Sequence, residues 1–215
     1  VDAERLLGSL IRGAMRGKRK NNAVRFLTGG RSSFLNASTL LAAVGVGWGL
    51  YETMKPKTTV PGSWPGQSAA GSTSNPPPIP GIPQSAGPSS QAVPADLVRL
   101  VRLTISAARA DGELSPEEIQ QIQESARDAG AEHLVESELR NPRPLTEIVE
   151  GPLSEQQKKD LYVLAYTITR ADEGVSGAEQ IYLAQLAHLL GLDVVTTSAL
   201  EQETIARIAS ESGQY

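Results

Sequence analysis

Three times in the second half of this chain, a Ser stands three residues ahead of a Glu or Gln at the head of an apolar run: Ser115/Glu118, Ser154/Gln157 and Ser176/Glu179. At that spacing the Ser hydroxyl accepts the N–H of the third helical residue, and the longer side chain reaches back to the N–H of the Ser, so each pair starts a helix. Pro116 occupies the first helical position of its run, where its missing N–H costs nothing. The runs that follow repeat apolar residues at helical spacing: Ile119, Ile122 and Ala126; Leu161, Leu164, Ala165 and Ile168; Ile181, Leu183, Leu186, Leu189 and Leu190. An apolar stripe through Leu97, Val98, Val101, Ile105 and Ala108 precedes them, and a last helix capped by Asp193 carries Val194, Val195, Leu200, Ile205 and Ile208. No segment alternates as a strand between turn signals. Residues 96–210 therefore read as an all-α bundle of six or seven helices.

Two of the caps sit in related surroundings. Arg109-Ala110-Asp111-Gly112-Glu113-Leu114-Ser115 returns as Arg170-Ala171-Asp172-Glu173-Gly174-Val175-Ser176, and each copy joins an Ala-rich apolar segment to the next one. The simplest reading is a duplicated helix–turn–helix unit with an acidic elbow in each copy.

The charges divide the chain into three parts. Residues 1–58 hold ten Lys/Arg and three Asp/Glu, residues 59–95 hold no charge, and residues 96–215 hold ten Lys/Arg and twenty-one Asp/Glu, a balance of −11. Residues 1–33 form the basic part, with an amphipathic helix over 2–16 carrying Leu6, Leu7, Leu10, Ile11, Ala14 and Met15 on one face. Gly8 and Gly13 count against that helix. From Phe34 to Tyr51 no charge occurs, a length at the lower limit for crossing a bilayer. Trp48 and Tyr51 suit a membrane interface, and the basic flank sets the N-terminus on the cytoplasmic side. Residues 34–54 are thus a candidate transmembrane helix, and 1–33 with it a separate N-terminal anchor. A Gly-rich helix packed on protein is the alternative. Residues 55–95, with Pro76, Pro77, Pro78, Pro80 and Pro83 among Gly and Ser, read as a disordered linker.

Chemistry is sparse. The chain has no Cys and two His, His133 and His188, which argues against thiolate and His-rich metal sites. No Ser–His–Asp set, phosphate loop or H-E-x-x-H is present, and no nucleophile–base pair can be named, so the chain reads as non-enzymatic. His188, between leucines, reads as a partly buried packing residue. The basic head lacks aromatic stacking partners apart from Phe26, which disfavours nucleic acid. Carboxylates crowd the elbows: Asp111, Glu113, Glu117 and Glu118, then Asp172, Glu173 and Glu179. As oxygen ligands they favour Ca²⁺ or Mg²⁺ over zinc. Neither elbow is an EF-hand, because Ala107 and Arg109, or Ile168 and Arg170, fall where the first two ligands belong. The competing reading is structural, with Glu118 and Glu179 as capping partners and the Asp residues shaping turns.

Ala107-Ala108-Arg109-Ala110-Asp111-Gly112-Glu113-Leu114, Ser137-Glu138-Leu139-Arg140-Asn141-Pro142 and Ala178-Glu179-Gln180-Ile181-Tyr182-Leu183 carry a further signal. Over residues 97–208 the chain resembles the TerB-like domain, named for a tellurite-resistance protein. It is more closely similar to an uncharacterised bacterial inner-membrane family with that domain, to which the start at Asp2-Ala3-Glu4-Arg5-Leu6-Leu7 also corresponds. The resemblance implies an all-helical TerB-like fold and a divalent-cation role for acidic elbow residues, here Asp111, Glu118, Asp172 and Glu179. The expectation is a membrane-tethered, single-pass interaction module of the bacterial inner membrane, acting in stress or envelope-related assemblies. Its acidic bundle would bind a protein partner or a second copy. The alternatives are a cytoplasmic helical scaffold without metal and a basic-head nucleic-acid binder.

Overall fold

The computed structural model describes residues 3–15, 21–29, 34–37, 94–112, 114–170 and 175–212. All regular structure among them is helical: α1 (Ala3–Ala14), α2 (Asn21–Thr28), α3 (Phe34–Ala37), α4 (Ala95–Ala108), α5 (Pro116–Asp128), α6 (Glu132–Arg140), α7 (Leu145–Ile148), α8 (Glu155–Thr169), α9 (Gly177–Leu190) and α10 (Val194–Ser212). The three capping boxes close as their spacing requires. Glu118, Gln157 and Glu179 each accept the N–H of their Ser, at 2.9, 2.9 and 2.7 Å, and each Ser hydroxyl accepts in return. Gly191, at φ +69°, takes the left-handed turn that ends α9.

The centre of the bundle is α8, buried from Asp160 to Thr169 and packed against α4, α9, α10 and α2. On its far side, α4 is tied to the end of α7 by Arg99, which donates to the carbonyls of Ile148 (3.2 Å) and Glu150 (2.9 Å) and pairs with Asp96 (2.7 Å). Glu138 on α6 is buried, with Oε2 3.2 Å from Nε of Arg102 on α4 and Oε1 accepting the N–H of Arg143 at 2.7 Å.

The N-terminal region is not a separate anchor. Leu6, Leu7, Leu10 and Ile11 are fully buried in the same core as α4, α5 and α8, while Glu4, Arg5 and Arg12 face solvent. The helix lies chiefly against α5 and also against α4 and α2. The glycines that weigh against a helix here are its contact surface. A Cβ on Gly13 would stand 3.3 Å from the backbone of Gln121 and Ile122, so a side chain there would push the two helices apart by a few tenths of an ångström. Ser125 of α5 donates to the carbonyl of Ser9 at 3.2 Å across the same contact. In α2, Phe26 packs on Phe34 of α3 with ring centroids 5.8 Å apart, and Arg207 of α10 lies over the Phe26 ring at 5.1 Å.

The membrane expectation is corrected as well. Among the described residues no helix is long and apolar enough to cross a membrane, which overturns the single-pass, inner-membrane placement and the orientation drawn from it. The longest, α10, carries Glu201, Glu203 and Arg207. Of the candidate span 34–54, residues 38–54 lie outside the described residues. Residues 34–37 form α3, whose Phe34 and Leu35 are buried in protein. The 55–93 part of the expected linker also lies outside; Pro94 and Ala95 already belong to the start of α4.

The expected duplication of a helix–turn–helix unit extends to the capping boxes of α5 and α9 but not to the packing. In the second unit, α8 and α9 lie directly together; in the first, α1 lies against both α4 and α5, which among the described residues touch each other little.

Candidate functional site

Of the seven elbow carboxylates singled out above, Glu113, Asp172 and Glu173 lie outside the described residues, and Glu117 is exposed in the first turn of α5. Asp111 is exposed in the turn after α4. Glu118 and Glu179 hold the N–H groups of Ser115 and Ser176, as the structural alternative has it, and Glu179 is buried there. Among the described residues no group of three or more His, Asp or Glu side chains is arranged to hold a metal.

A different site stands out. A groove enclosing about 750 Å³ runs between α8, α9 and α10. Its floor is Tyr162, Tyr166 and Arg170, four residues apart and therefore on one face of α8 and its C-terminal turn. One wall is α9, through Gln180, Leu183, Ala184, Ala187 and His188; the other is α10, through Val194, Thr197, Ser198 and Glu201. The Tyr162 and Tyr166 rings lie nearly parallel, 10° apart in plane with centroids 6.4 Å apart. The Tyr162 hydroxyl donates to Glu201 Oε1 at 2.6 Å, linking floor to wall. Arg170 donates to the Tyr166 hydroxyl at 3.0 Å and sets its guanidinium 5.9 Å from that ring's centroid. At the other end Asp193 caps α10, accepting the Thr196 N–H at 2.7 Å, and this bond holds its carboxyl below the usual range. Arg170 thus lies at one side of the groove on Tyr166, Glu201 stands at Tyr162 two turns of α8 away, and Asp193 lies at the start of α10.

Burial raises the Tyr162 hydroxyl pKa first, and the bond to Glu201 raises it further; burial also raises Tyr166, against the opposing pull of Arg170. Tyr182, deeper in the protein, is raised by burial too. A native pKa above the unfolded value gives a contribution that is complete below pH ~10, where free tyrosine ionises, and is lost as the pH climbs beyond it. Spectroscopic titration at the tyrosinate band should therefore show late ionisation of the tyrosines at 162, 166 and 182, coincident with loss of helical circular dichroism. If all five tyrosines of the chain ionise as free tyrosine does while the helices persist, the buried floor is wrong.

The rim differs from the sequence reading. Val194 and Val195, assigned above to the apolar lining of the last helix, are 79% and 80% exposed; Ile181 is 63% and Leu189 38% exposed. His188 is exposed on the rim rather than packed between leucines. The floor was not singled out from sequence at all. Its one signal was Tyr162-x₃-Tyr166-x₃-Arg170 in a chain with only 4% aromatic residues.

A family model described as "protein of unknown function (DUF533)" matches residues 4–204. The chain belongs to the DUF533 family. That match runs from α1 into α10, so the N-terminal helix and the groove belong to one DUF533 unit. No curated protein and no solved structure matches this DUF533 chain.

Proposed function

We propose that this chain is a non-enzymatic helical interaction module of TerB-like character, and that its docking surface is the α8–α9–α10 groove with the apolar rim beside it. One observation carries the reading. The large hydrophobic side chains exposed among the described residues, Ile181, Leu189, Val194 and Val195, fall on α9 and the adjoining first turn of α10. Elsewhere the leucines and isoleucines of α1, α4 and α8 are turned into the core. Exposed apolar side chains gathered in one region beside a groove mark a place where another surface sits. The polar groups favour binding over chemistry, because burial raises the pKa of both the Tyr162 and the Tyr166 hydroxyl and so holds them protonated as hydrogen-bonding groups.

The surface can be read with 1-anilinonaphthalene-8-sulfonate on the full chain at submicromolar protein. The expected result is one saturable dye site, weakened at least ~10-fold by Val194→Asp with Val195→Asp, with far- and near-ultraviolet circular dichroism unchanged. Absence of saturable binding, or binding indifferent to the two substitutions, would remove this surface from consideration.

A further inference from the structure

We infer that the exposed apolar rim of this groove seats an amphipathic helix of a partner protein, one that carries large apolar side chains along about two turns and Lys or Arg around them. The inference rests on the docking reading above and names the class of partner.

The make-up of the surface leaves one mode of recognition. All regular structure among the described residues is helical, so none of it offers a strand edge to which an extended peptide could add. Capture of a polyproline helix needs open aromatic faces, and Tyr162 and Tyr166 are each only 3% exposed. Capture of an acidic or phosphorylated segment needs clustered arginines. The groove has one, Arg170, and it is engaged with the Tyr166 hydroxyl. What the rim does present is aliphatic. Ile181 and Leu189 are exposed on α9, eight residues and hence about 12 Å apart along its axis, and Val194 and Val195 stand clear at the start of α10. A strip of that length beside a groove between helices takes apolar side chains repeated at helical spacing over about two turns.

Charge decides what surrounds those side chains. Residues 171–206 contain six Asp/Glu and no Lys or Arg. Glu179 is buried in the cap of α9, but Asp193 is exposed immediately before the two valines, and Glu201 stands half-buried on the α10 wall. Behind them residues 96–215 carry −11. A helix bearing Lys and Arg beside its apolar stripe is drawn to this face, whereas a second acidic body is repelled from it. The chain itself supplies a precedent for the fit. Its α1 turns Leu6, Leu7, Leu10 and Ile11 inward and Arg5 and Arg12 outward, and it is seated on this same body against α4 and α5.

The probes are two labelled synthetic peptides about five turns long, with the same leucines at helical spacing and either Lys or Glu at the remaining positions. By fluorescence anisotropy with the full chain, the Leu/Lys peptide should bind one-to-one and saturably, at least ~30-fold more tightly than the Leu/Glu peptide. Val194→Asp with Val195→Asp should weaken the Leu/Lys peptide at least ~10-fold, with the circular dichroism of the chain unchanged. This variant separates seating from adhesion. Two added carboxylates would strengthen mere attraction of a cationic peptide to an acidic body, but they remove the apolar contact on which seating depends. Tighter or unchanged binding to the variant overturns the inference, as does equal affinity for the two peptides. So does self-association in sedimentation equilibrium that the two substitutions abolish, which would give the face to a second copy. If neither peptide binds while the saturable dye site persists, the docking surface stands and only the class of partner is wrong; loss of both removes both.

Discussion

Leu10→Ala in the full chain should lower the stability of the entire helical bundle by about 3 kcal/mol, within the range for truncating a buried leucine. Leu10 is fully buried, in one cluster with Ile122 of α5 and Leu161 of α8. Its loss therefore leaves a void in the common core rather than in a detached helix. The expected result in urea, followed by far-ultraviolet circular dichroism, is a single transition moved to lower midpoint with its slope unchanged. Arg12→Ala is the companion, since Arg12 is exposed on the same helix and its removal should move the midpoint by no more than about 0.5 kcal/mol. A basic head that merely anchors the body predicts another outcome: Leu10→Ala would leave the transition of residues 94–212 where it was. That outcome would refute the shared core.

The second large effect is expected at Glu138. This carboxylate is 4% exposed, pairs with Arg102 and accepts the N–H of Arg143, so it joins α4, α6 and the turn that leads into α7. Glu138→Ala removes one partner of a buried pair and orphans a backbone donor, and should cost about 3 kcal/mol. Glu138→Gln separates the two parts. A neutral amide oxygen can still accept from Arg143, so this variant should retain roughly half of the lost stability. Equal losses for Ala and Gln would place the whole effect in the charge pair. No loss from either would show that Arg102 and Arg143 find water as readily as they find Glu138.

Glu138 also shows where sequence reading reaches its limit. Between Glu136 and Arg140 on a short helix it looks like one more solvated charge; only the arrival of α4, more than thirty residues upstream, makes it a buried partner. The helices themselves were legible because their start signals are local. Ser115/Glu118, Ser154/Gln157 and Ser176/Glu179 need nothing beyond four consecutive residues to close their hydrogen bonds. Long-range pairing is a different matter. Gly8 and Gly13 lower helix propensity in any local account, yet Gly13 faces the backbone of Gln121 and Ile122 of α5 with little space for a side chain. The groove was hidden for a related reason. Apolar residues lie on several sides of α9, so periodicity alone cannot tell that Leu183, Leu186 and Leu190 face the core while Ile181 and Leu189 face outward. Val194 and Val195 open a helix directly after its capping Asp193, and their composition resembles that of core residues although they stand clear of the core. The apolar span 34–54 suggested lipid because its residues are read one after another, whereas Phe34 and Leu35 are buried by α2 and its neighbours.

The bond from Ser125 to the carbonyl of Ser9 ties together residues 116 positions apart, and the cover of α1, begun by α2 and α4, is complete only once α5 exists. On a translating ribosome working at 5–20 residues per second, the leucines of the first helix therefore wait on the order of 10 s for the segment that will cover them. During that interval the nascent chain presents Leu6, Leu7, Leu10 and Ile11 beside a row of arginines, a basic amphipathic strip open to chaperones. Full burial of this strip is therefore completed only when α5 has been made.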